Sequence, residues 1–143
     1  MSWMNRLLKL NATRTTLSLA PQVTSVNLPT KEIVTFPINF VTANQGTFWI
    51  YFPYKVTVNK IRAIVTTALG ATADATITCG NSTGASANGV VTLAASAAVA
   101  TAYSVSPTTN NVVLADGYYY LTSSKGATAT GFCLVTLEVT RTA

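Results

Sequence analysis

The chain has 143 residues and a mass of 15.0 kDa, enough for one domain whose core needs neither a metal nor a disulfide to hold it. Only 9% of the residues are charged, while threonine occurs 25 times and alanine 20 times, so the surface has few charges to keep copies of the chain apart. This composition argues against a free, highly soluble monomer and favours a protein that works inside an assembly.

The net charge of +5 comes from nine cations and four anions, and the first fourteen residues hold three of the cations and no acid. Three charges are fewer than the dense basic runs that mark nucleic-acid-binding tails, so an acidic protein surface is the preferred partner and nucleic acid the disfavoured one. Residues 1–30 show no clean period and are punctuated by prolines, which predicts an extended N-terminal arm. We expect the arm to lie on a neighbouring subunit, with its own domain as the alternative. The arm residues expected to contact a partner are Trp3, Arg6, Leu7, Lys9 and Arg14.

No run approaches the roughly 18 apolar residues that a membrane span requires. The N-terminal sequence MSWMNRLLKL lacks the apolar centre of a signal peptide because Lys9 interrupts it, so we expect no secretion and no membrane partner. Cys79 and Cys133 are then expected to be small buried hydrophobes. A disulfide between two strands is the alternative, and their spacing does not decide between the two.

Residues 32–41 alternate between apolar and polar positions around Pro37, which predicts a strand at a sheet edge or with a bulge, since proline cannot donate to a strand ladder. The sequence Ala-Asn-Gln-Gly at residues 43–46 predicts a turn.

The densest aromatic and β-branched stretch runs over residues 47–67, TFWIYFPYKVTVNKIRAIVTT. Its first strand has one core face, and the other face shows Trp49 and Tyr51 to a second layer or to a partner. Its second strand changes phase at Asn59, which predicts a bulge or a bend. We expect the aliphatic face of this stretch to pair with the closing strand around residues 135–139.

Short segments separated by small polar turns follow this stretch. Residues 80–89 predict a surface loop, and the alanine-rich residues 94–100 predict a loop or a helical turn. The further predicted strands are residues 74–79, 90–93, 103–106, 112–114, 118–123 and 132–141.

About eight strands at this spacing, with no helix long enough for a crossover, predict an all-β fold. We expect an antiparallel β-sandwich of the jelly-roll type over residues 31–143, preceded by the arm of residues 1–30. An immunoglobulin-like sandwich is the alternative, weakened because Trp49 precedes both cysteines in the sequence.

The sequence holds little material for catalysis. Histidine is absent, which removes the usual general base and the commonest metal ligand, and no phosphate-binding loop is present. The four acids are scattered, so a glycosidase-type carboxylate pair would have to form through folding. We therefore expect a non-enzymatic protein with no catalytic residue, no metal and no cofactor.

Surface aromatic residues are the remaining candidates for binding. We expect Trp49, Tyr51 and Tyr119 to contact a partner, since aromatic residues are enriched where subunits meet. An aromatic platform for sugars or single-stranded nucleic acid is the alternative. Consecutive tyrosines in a strand face both ways, so either Tyr118 and Tyr120 or Tyr119 alone lie on a given face.

From residue 56 to the end, four segments resemble small β-sandwich virion proteins of tailed bacteriophages. These segments are VTVNKIRAIVTTA, ATITCGN, GVVTLAASAAVATAYSVSPTTNNVVLADGYYYLTSS and GFCLVTLEVTR. In such proteins a strand carrying Val and Arg, a GxVTL strand followed by Ala/Ser-rich sequence, and a closing VTLEVTR-like strand recur. Residues 1–46 lie outside the resemblance.

The resemblance implies a capsid decoration or cement protein, made in the host cytoplasm and located on the capsid surface of the virion. It further implies a homotrimer that binds the major capsid protein, without a small-molecule substrate, through the N-terminal arm. A head-fibre or tail component, or a carbohydrate- or receptor-binding module, is the alternative.

Overall fold

Nine β-strands run through residues 30–126 and 129–142, the part of the chain that the computed structural model describes. The strands are β1 (Lys31–Asn39), β2 (Thr47–Phe52), β3 (Val56–Thr67), β4 (Ala75–Asn81), β5 (Gly84–Leu93), β6 (Ala102–Val105), β7 (Val112–Val113), β8 (Gly117–Lys125) and β9 (Phe132–Arg141). A single 3-10 turn, Thr42–Asn44, lies within the connection between β1 and β2 where a turn was predicted. The predicted all-β class is confirmed, and β7 lies within the strand predicted at residues 112–114.

The strands form two antiparallel sheets. Sheet A has the order β1-β9-β3-β6, with β7 also paired to β3, and sheet B has the order β2-β8-β4-β5. The pairs are nested along the chain, β1 with β9, β2 with β8, β3 with β6 and β4 with β5. This is the strand order of a jelly roll, in which one long antiparallel hairpin is rolled into a two-sheet sandwich. The jelly-roll prediction is confirmed, and the immunoglobulin-like alternative is wrong.

Sheet A buries one face through strict alternation. In β9 the apolar side chains at odd positions from 133 to 139 are buried, as predicted. The pairing of β3 with β9 shifts register between Val58 and Lys60, which confirms the predicted bulge at Asn59. The expected pairing of residues 47–67 with the closing strand holds for β3 only. The chain crosses to the other sheet between β2 and β3, and β2 pairs with β8.

Residues 80–89, predicted to be a surface loop, instead form a hairpin in sheet B. β4 extends to Asn81 and β5 begins at Gly84. A Cβ atom at Gly80 would lie 2.2 Å from the carbonyl oxygen of Gly84 and 2.8 Å from the Cα atom of Ala85, so this strand position requires glycine. The small residues that indicated a loop allow two backbones to approach closely.

The inner faces of the two sheets share one core, in which both cysteines are buried. Cys79 lies in β4 and Cys133 in β9, and both are free thiols. Of the two alternatives for these residues, the buried hydrophobe is correct and the disulfide is wrong. Burial raises the pKa of each thiol to about 12, because the charged thiolate would lose its hydration.

The inner face of sheet B also holds a buried cation. Lys125 ends β8 with 5% of its surface exposed. Its Nζ atom donates to the carbonyl oxygens of Gly70 at 3.2 Å, Thr72 at 2.9 Å and Ala73 at 2.5 Å. These three acceptors replace the water that the ammonium group loses on burial. Lys125 thereby fixes the connection between β3 and β4 to the end of β8.

Candidate functional site

Four aromatic side chains lie together on the outer face of sheet B. We call Trp49, Tyr51, Tyr118 and Tyr120 the aromatic cluster. The pairing of β2 with β8 sets Trp49 opposite Tyr120 and Tyr51 opposite Tyr118. Trp49 is 61% exposed and Tyr51 62% exposed, so both side chains lie where a partner can reach them. Their role in binding stays a prediction.

The rings of the aromatic cluster support one another. The Trp49 ring meets the Tyr118 ring nearly at a right angle, with centroids 4.7 Å apart and an interplanar angle of 88°. Its centroid lies 5.7 Å from that of Tyr120, at 59°. Edge-to-face and tilted arrangements suit the quadrupoles of aromatic rings, so Trp49 is held in position although most of its surface is open to solvent.

A carboxylate orients the second exposed ring. The Tyr51 hydroxyl donates to Oδ1 of Asp116 at 2.5 Å. Asp116 has a φ of 60° in the turn before Gly117, a left-handed conformation that Asp adopts more readily than most residues. The hydrogen bond, followed by burial and the negative charge of Asp116, raises the pKa of Tyr51. Tyr51 therefore stays neutral over a wider pH range than a free tyrosine.

The row of paired residues that begins with Trp49 and Tyr120 runs across sheet B to Gly80 in β4. Tyr120 is paired with Gly80, and Gly80 with Ala85. A Cβ atom at Gly80 would lie 2.7 Å from the Tyr120 hydroxyl oxygen, so the Tyr120 side chain lies over the glycine. The other outer positions of sheet B are small or β-branched, and none of those in the described residues is charged.

Tyr119 is not on this surface, and its prediction as a surface aromatic residue is wrong. It is fully buried, and its hydroxyl shares a hydrogen bond of 2.9 Å with the hydroxyl of Ser86. Burial is the main cause that raises the pKa of Tyr119 above its usual range. The sequence does contain a signal for this orientation, because Tyr119 has the same phase as Leu121, the aliphatic residue of β8.

The outer face of sheet A carries charged side chains beside exposed apolar ones, of which Ile33 is 70% exposed. Nε of Arg62 donates to Oε1 of Glu138 at 2.6 Å, and the two side chains are 50% and 38% exposed. This hydrogen bond, together with the charges of Arg62, Lys60 and Lys31, lowers the pKa of Glu138. Lys31, Lys60 and Arg62 thus surround one carboxylate, and this part of sheet A keeps an excess of positive charge.

No three of the four acids are grouped together in the described residues, although Glu32 and Glu138 line the same pocket. Glu32 and Glu138 lie near each other in sheet A, but Glu138 is paired with Ile33, so the neighbouring Glu32 projects from the opposite face. Their hydrogen-bond partners are Tyr54 for Glu32, the Ala95 amide for Asp74, Tyr51 for Asp116 and Arg62 for Glu138. Each acid therefore has a different hydrogen-bond partner, and none of these partners is another acid.

The N-terminal arm cannot be compared with its prediction, because it precedes the part of the chain that the structure describes. The predicted arm contacts Trp3, Arg6, Leu7, Lys9 and Arg14 lie outside the described residues.

Within residues 30–126 and 129–142, no three His, Cys, Asp or Glu side chains are grouped so that they could hold a metal ion. No helix in those residues has the length and apolar character needed to cross a membrane.

Comparisons with known proteins give similar structures only. No family model matches the sequence, and no curated protein matches it significantly. The fold is similar to a chain of the cyanophage Pam1 capsid asymmetric unit, with 11% identity over 80% of this chain and 86% of that chain and a TM-score of 0.48.

Two further similar chains come from eukaryotic viruses. One belongs to a virus-like particle of the extra small virus of the giant freshwater prawn Macrobrachium rosenbergii, with 8% identity, 78% and 77% coverage and a TM-score of 0.38. The other belongs to desmodium yellow mottle tymovirus, with 12% identity, 82% and 89% coverage and a TM-score of 0.32. All three TM-scores are below 0.5, and the fold assignment rests on the strand order of this chain itself.

Proposed function

We propose that the protein is a structural component of a virion, a decoration or cement protein that binds the outer shell and stabilises it as a homo-oligomer. The observation that carries this proposal is the outer face of sheet B, which exposes Trp49 and Tyr51. Among the described residues its strands place no charged side chain on this face, and the Asp116 carboxylate at its margin is hydrogen-bonded to Tyr51. Burying such a face against protein avoids the cost of desolvating charges, and aromatic residues are the type enriched at interfaces. The sequence resemblance of residues 56–143 to virion proteins supports the same function.

Three parts of the chain have separate roles in this proposal. The arm, with Trp3, Arg6, Leu7, Lys9 and Arg14, attaches to the major capsid protein. The aromatic cluster contacts another copy of the chain, in a homotrimer. The remaining surface of the sandwich faces solvent, and each weak contact is multiplied by the number of copies on the particle.

Two measurements test this function. Light scattering on the purified protein should give the mass of a trimer or of a multiple of it. In a sedimentation assay with undecorated particles, the full chain should bind and a variant lacking residues 1–20 should not, while its circular dichroism stays that of a β-protein. A monomer at all concentrations would contradict the proposed oligomer, and undiminished binding of the truncated chain would contradict the role of the arm.

Carbohydrate binding is the second candidate, favoured by the aromatic cluster. Trp49 is held by neighbouring rings and stands near Tyr51 and the Asp116 carboxylate, and stacking on aromatic rings together with hydrogen bonds to a carboxylate suits a sugar. A glycan array tests it, with Trp49→Ala expected to remove any signal. Tyr119→Ala is unsuitable for this purpose because Tyr119 is buried. An array without a signal would exclude this candidate for the glycans it displays.

A further inference from the structure

The four edges of the described sandwich are protected to different degrees. An open edge strand recruits other strands unless charges, proline, a bulge or a covering segment prevents it. β1 carries Lys31, Glu32 and Pro37, and β6 is only four residues long. β2, with the sequence TFWIYF, has no charge and no proline, and it pairs with β8 without a register shift.

The remaining edge, β5, is covered by the segment that follows β6. The Thr108 amide donates to the Ala87 carbonyl at 2.9 Å, and the Asn110 side chain donates to the Ala85 carbonyl at 2.9 Å. The Ala87 amide in turn donates to the Thr109 hydroxyl at 3.0 Å. β2 is therefore the unprotected edge among the described strands.

The alternation of the ladder shows which backbone groups of β2 are open. The Ser123 amide donates to the Gly46 carbonyl at 2.9 Å, so Gly46 and every second residue after it bond to β8. The amide and carbonyl groups of Thr47, Trp49 and Tyr51 then point away from β8. No hydrogen bond joins these groups to any residue in the described part of the chain.

We infer that β2 pairs with β2 of a second copy of this chain, antiparallel and centred on Trp49, so that two four-stranded B sheets become one sheet of eight strands. In this register Trp49 lies opposite Trp49 of the second copy. Thr47 lies opposite Tyr51 of the second copy, and Phe48 opposite its Ile50. This inference rests on the proposed self-association of the chain and adds a second, two-fold contact to it.

The sequence of β2 suits pairing with itself. Aromatic–aromatic and aromatic–β-branched pairs are favourable across antiparallel strands, and this register gives both types. With no charge on β2, the two-fold axis brings no like charges together. An isologous contact also closes on itself and leaves no further edge open. The contact is two-fold, so it is additional to the three-fold contact of the proposed trimer.

Cysteine cross-linking tests the register directly. The inference places Thr47 opposite Tyr51 of the second copy, with Cα atoms about 5.5 Å apart, within reach of a disulfide. The two Thr47 residues are offset by four positions, about 13 Å along the strand. A mixture of Thr47→Cys and Tyr51→Cys, oxidised after subunit exchange, should yield at least tenfold more disulfide dimer than either variant alone. Cys79 and Cys133 are buried and do not interfere.

A matched pair of lysine substitutions tests the energetics. Trp49→Lys sets two ammonium groups opposite each other across the axis, whereas Thr122→Lys adds the same charge on the same face but on the inner neighbour strand β8. In sedimentation velocity, Trp49→Lys should raise the dissociation constant of the two-fold contact at least tenfold, and Thr122→Lys less than threefold.

Several outcomes would overturn the inference. In the cross-linking experiment, these are an equal yield of disulfide dimer from the mixture and from each single cysteine variant, or no disulfide dimer at all. In sedimentation velocity, it is an equal change of the dissociation constant in Trp49→Lys and Thr122→Lys. A disulfide between Trp49→Cys and Val23→Cys in one chain would also overturn it, because it would assign the edge to the N-terminal segment. If cross-linking fails while trimers still form and bind shells, the inference alone is wrong. A monomer that binds no shell would instead contradict the proposed function.

Discussion

The outer face of sheet A carries Lys60, Arg62 and Glu138, whereas the outer face of sheet B shows four aromatic rings, and among the described residues no strand position on it is charged. The nearest charge is Asp116, in the turn before β8, which is hydrogen-bonded to Tyr51. Charged side chains keep a surface hydrated, and their removal from water is costly. Aromatic side chains on an uncharged face can be buried at much lower cost. The proposed function accordingly places sheet B against protein and sheet A towards solvent.

The inner faces of the two sheets also differ in polarity, but here sheet B is the more polar one. The three polar or charged side chains that are buried in the described residues, Ser86, Ser123 and Lys125, all belong to sheet B. The inner face of sheet A is built from apolar side chains. Sheet B thus depends on specific internal hydrogen bonds, while sheet A depends on packing. Substitutions with matched controls in the other sheet can separate these two contributions.

The largest effect is expected from Lys125→Met. Methionine keeps most of the apolar stem but removes the ammonium donor from three carbonyl oxygens, and a hydrogen bond to a charged group contributes about 1.5–3 kcal/mol. Urea unfolding should show a loss of about 3 kcal/mol or more in stability. The control Lys31→Met, exposed in sheet A, should change stability by less than about 0.5 kcal/mol. Similar losses of stability in both variants would show that the hydrogen bonds from Lys125 to the three carbonyl oxygens do not stabilise sheet B.

Gly80→Ala is expected to have the next largest effect. The new methyl group would meet the Gly84 carbonyl oxygen and the Tyr120 hydroxyl at 2.2 and 2.7 Å, and overpacking of this kind costs about 1–3 kcal/mol. Thermal unfolding should show a lower midpoint. At Gly126 a methyl group would meet its nearest neighbour at 3.4 Å, so Gly126→Ala serves as the control. A Gly80→Ala variant as stable as this control would mean that β4 and β5 do not approach as closely as described.

The two buried thiols place one titrating group in each sheet and predict a loss of stability in alkali. Their pKa is raised from 9.0 to about 12 in the folded protein, so the folded state retains protons that the unfolded chain releases. This stabilisation is complete below pH 9 and is lost as the pH rises towards 12, with a slope of up to about 1.4 kcal/mol per pH unit for each thiol.

Urea unfolding at several pH values between 8 and 11 measures this slope. The double variant Cys79→Ala and Cys133→Ala should be less stable at every pH but should lose stability less steeply. Equal slopes in both proteins would show that the pKa of each thiol is the same in the folded and the unfolded protein.

Much of the fold could be predicted from the sequence because several strands alternate cleanly between large apolar and polar residues. β9 is one example, and the phase change at Asn59 marked the bulge in β3. The hairpin of residues 80–89 was missed because its buried positions are Gly80, Ser86 and Gly89, which carry no hydrophobic signal. Alternation alone divides residues between two faces, and packing decides which face is the core.

The candidate site was predictable in part for the same reason. Trp49 and Tyr51 lie opposite the apolar positions of their own strand, so β2 alone predicted that they share one face, towards a second layer or a partner, and the structure shows both of them exposed. Tyr119 was misassigned because its neighbours are also tyrosines, and its orientation follows from Leu121 two positions later. Lys125 gave no signal, since its acceptors are backbone carbonyl oxygens in a distant connection, and any residue type can supply those.

The smallest effect is expected from Glu138→Gln in sheet A. Glu138 and Arg62 are both well exposed, so their ion pair is weakened by hydration and by salt. The lowered pKa of Glu138 means that its contribution is present above its ordinary pKa, near 4.3, and is lost only as the pH falls below it. At pH 7 in 0.15 M salt, neither the unfolding midpoint nor the self-association measured by sedimentation should change. A weaker self-association of this variant would show that sheet A is a contact face, and the roles assigned to the two outer faces would then have to be exchanged.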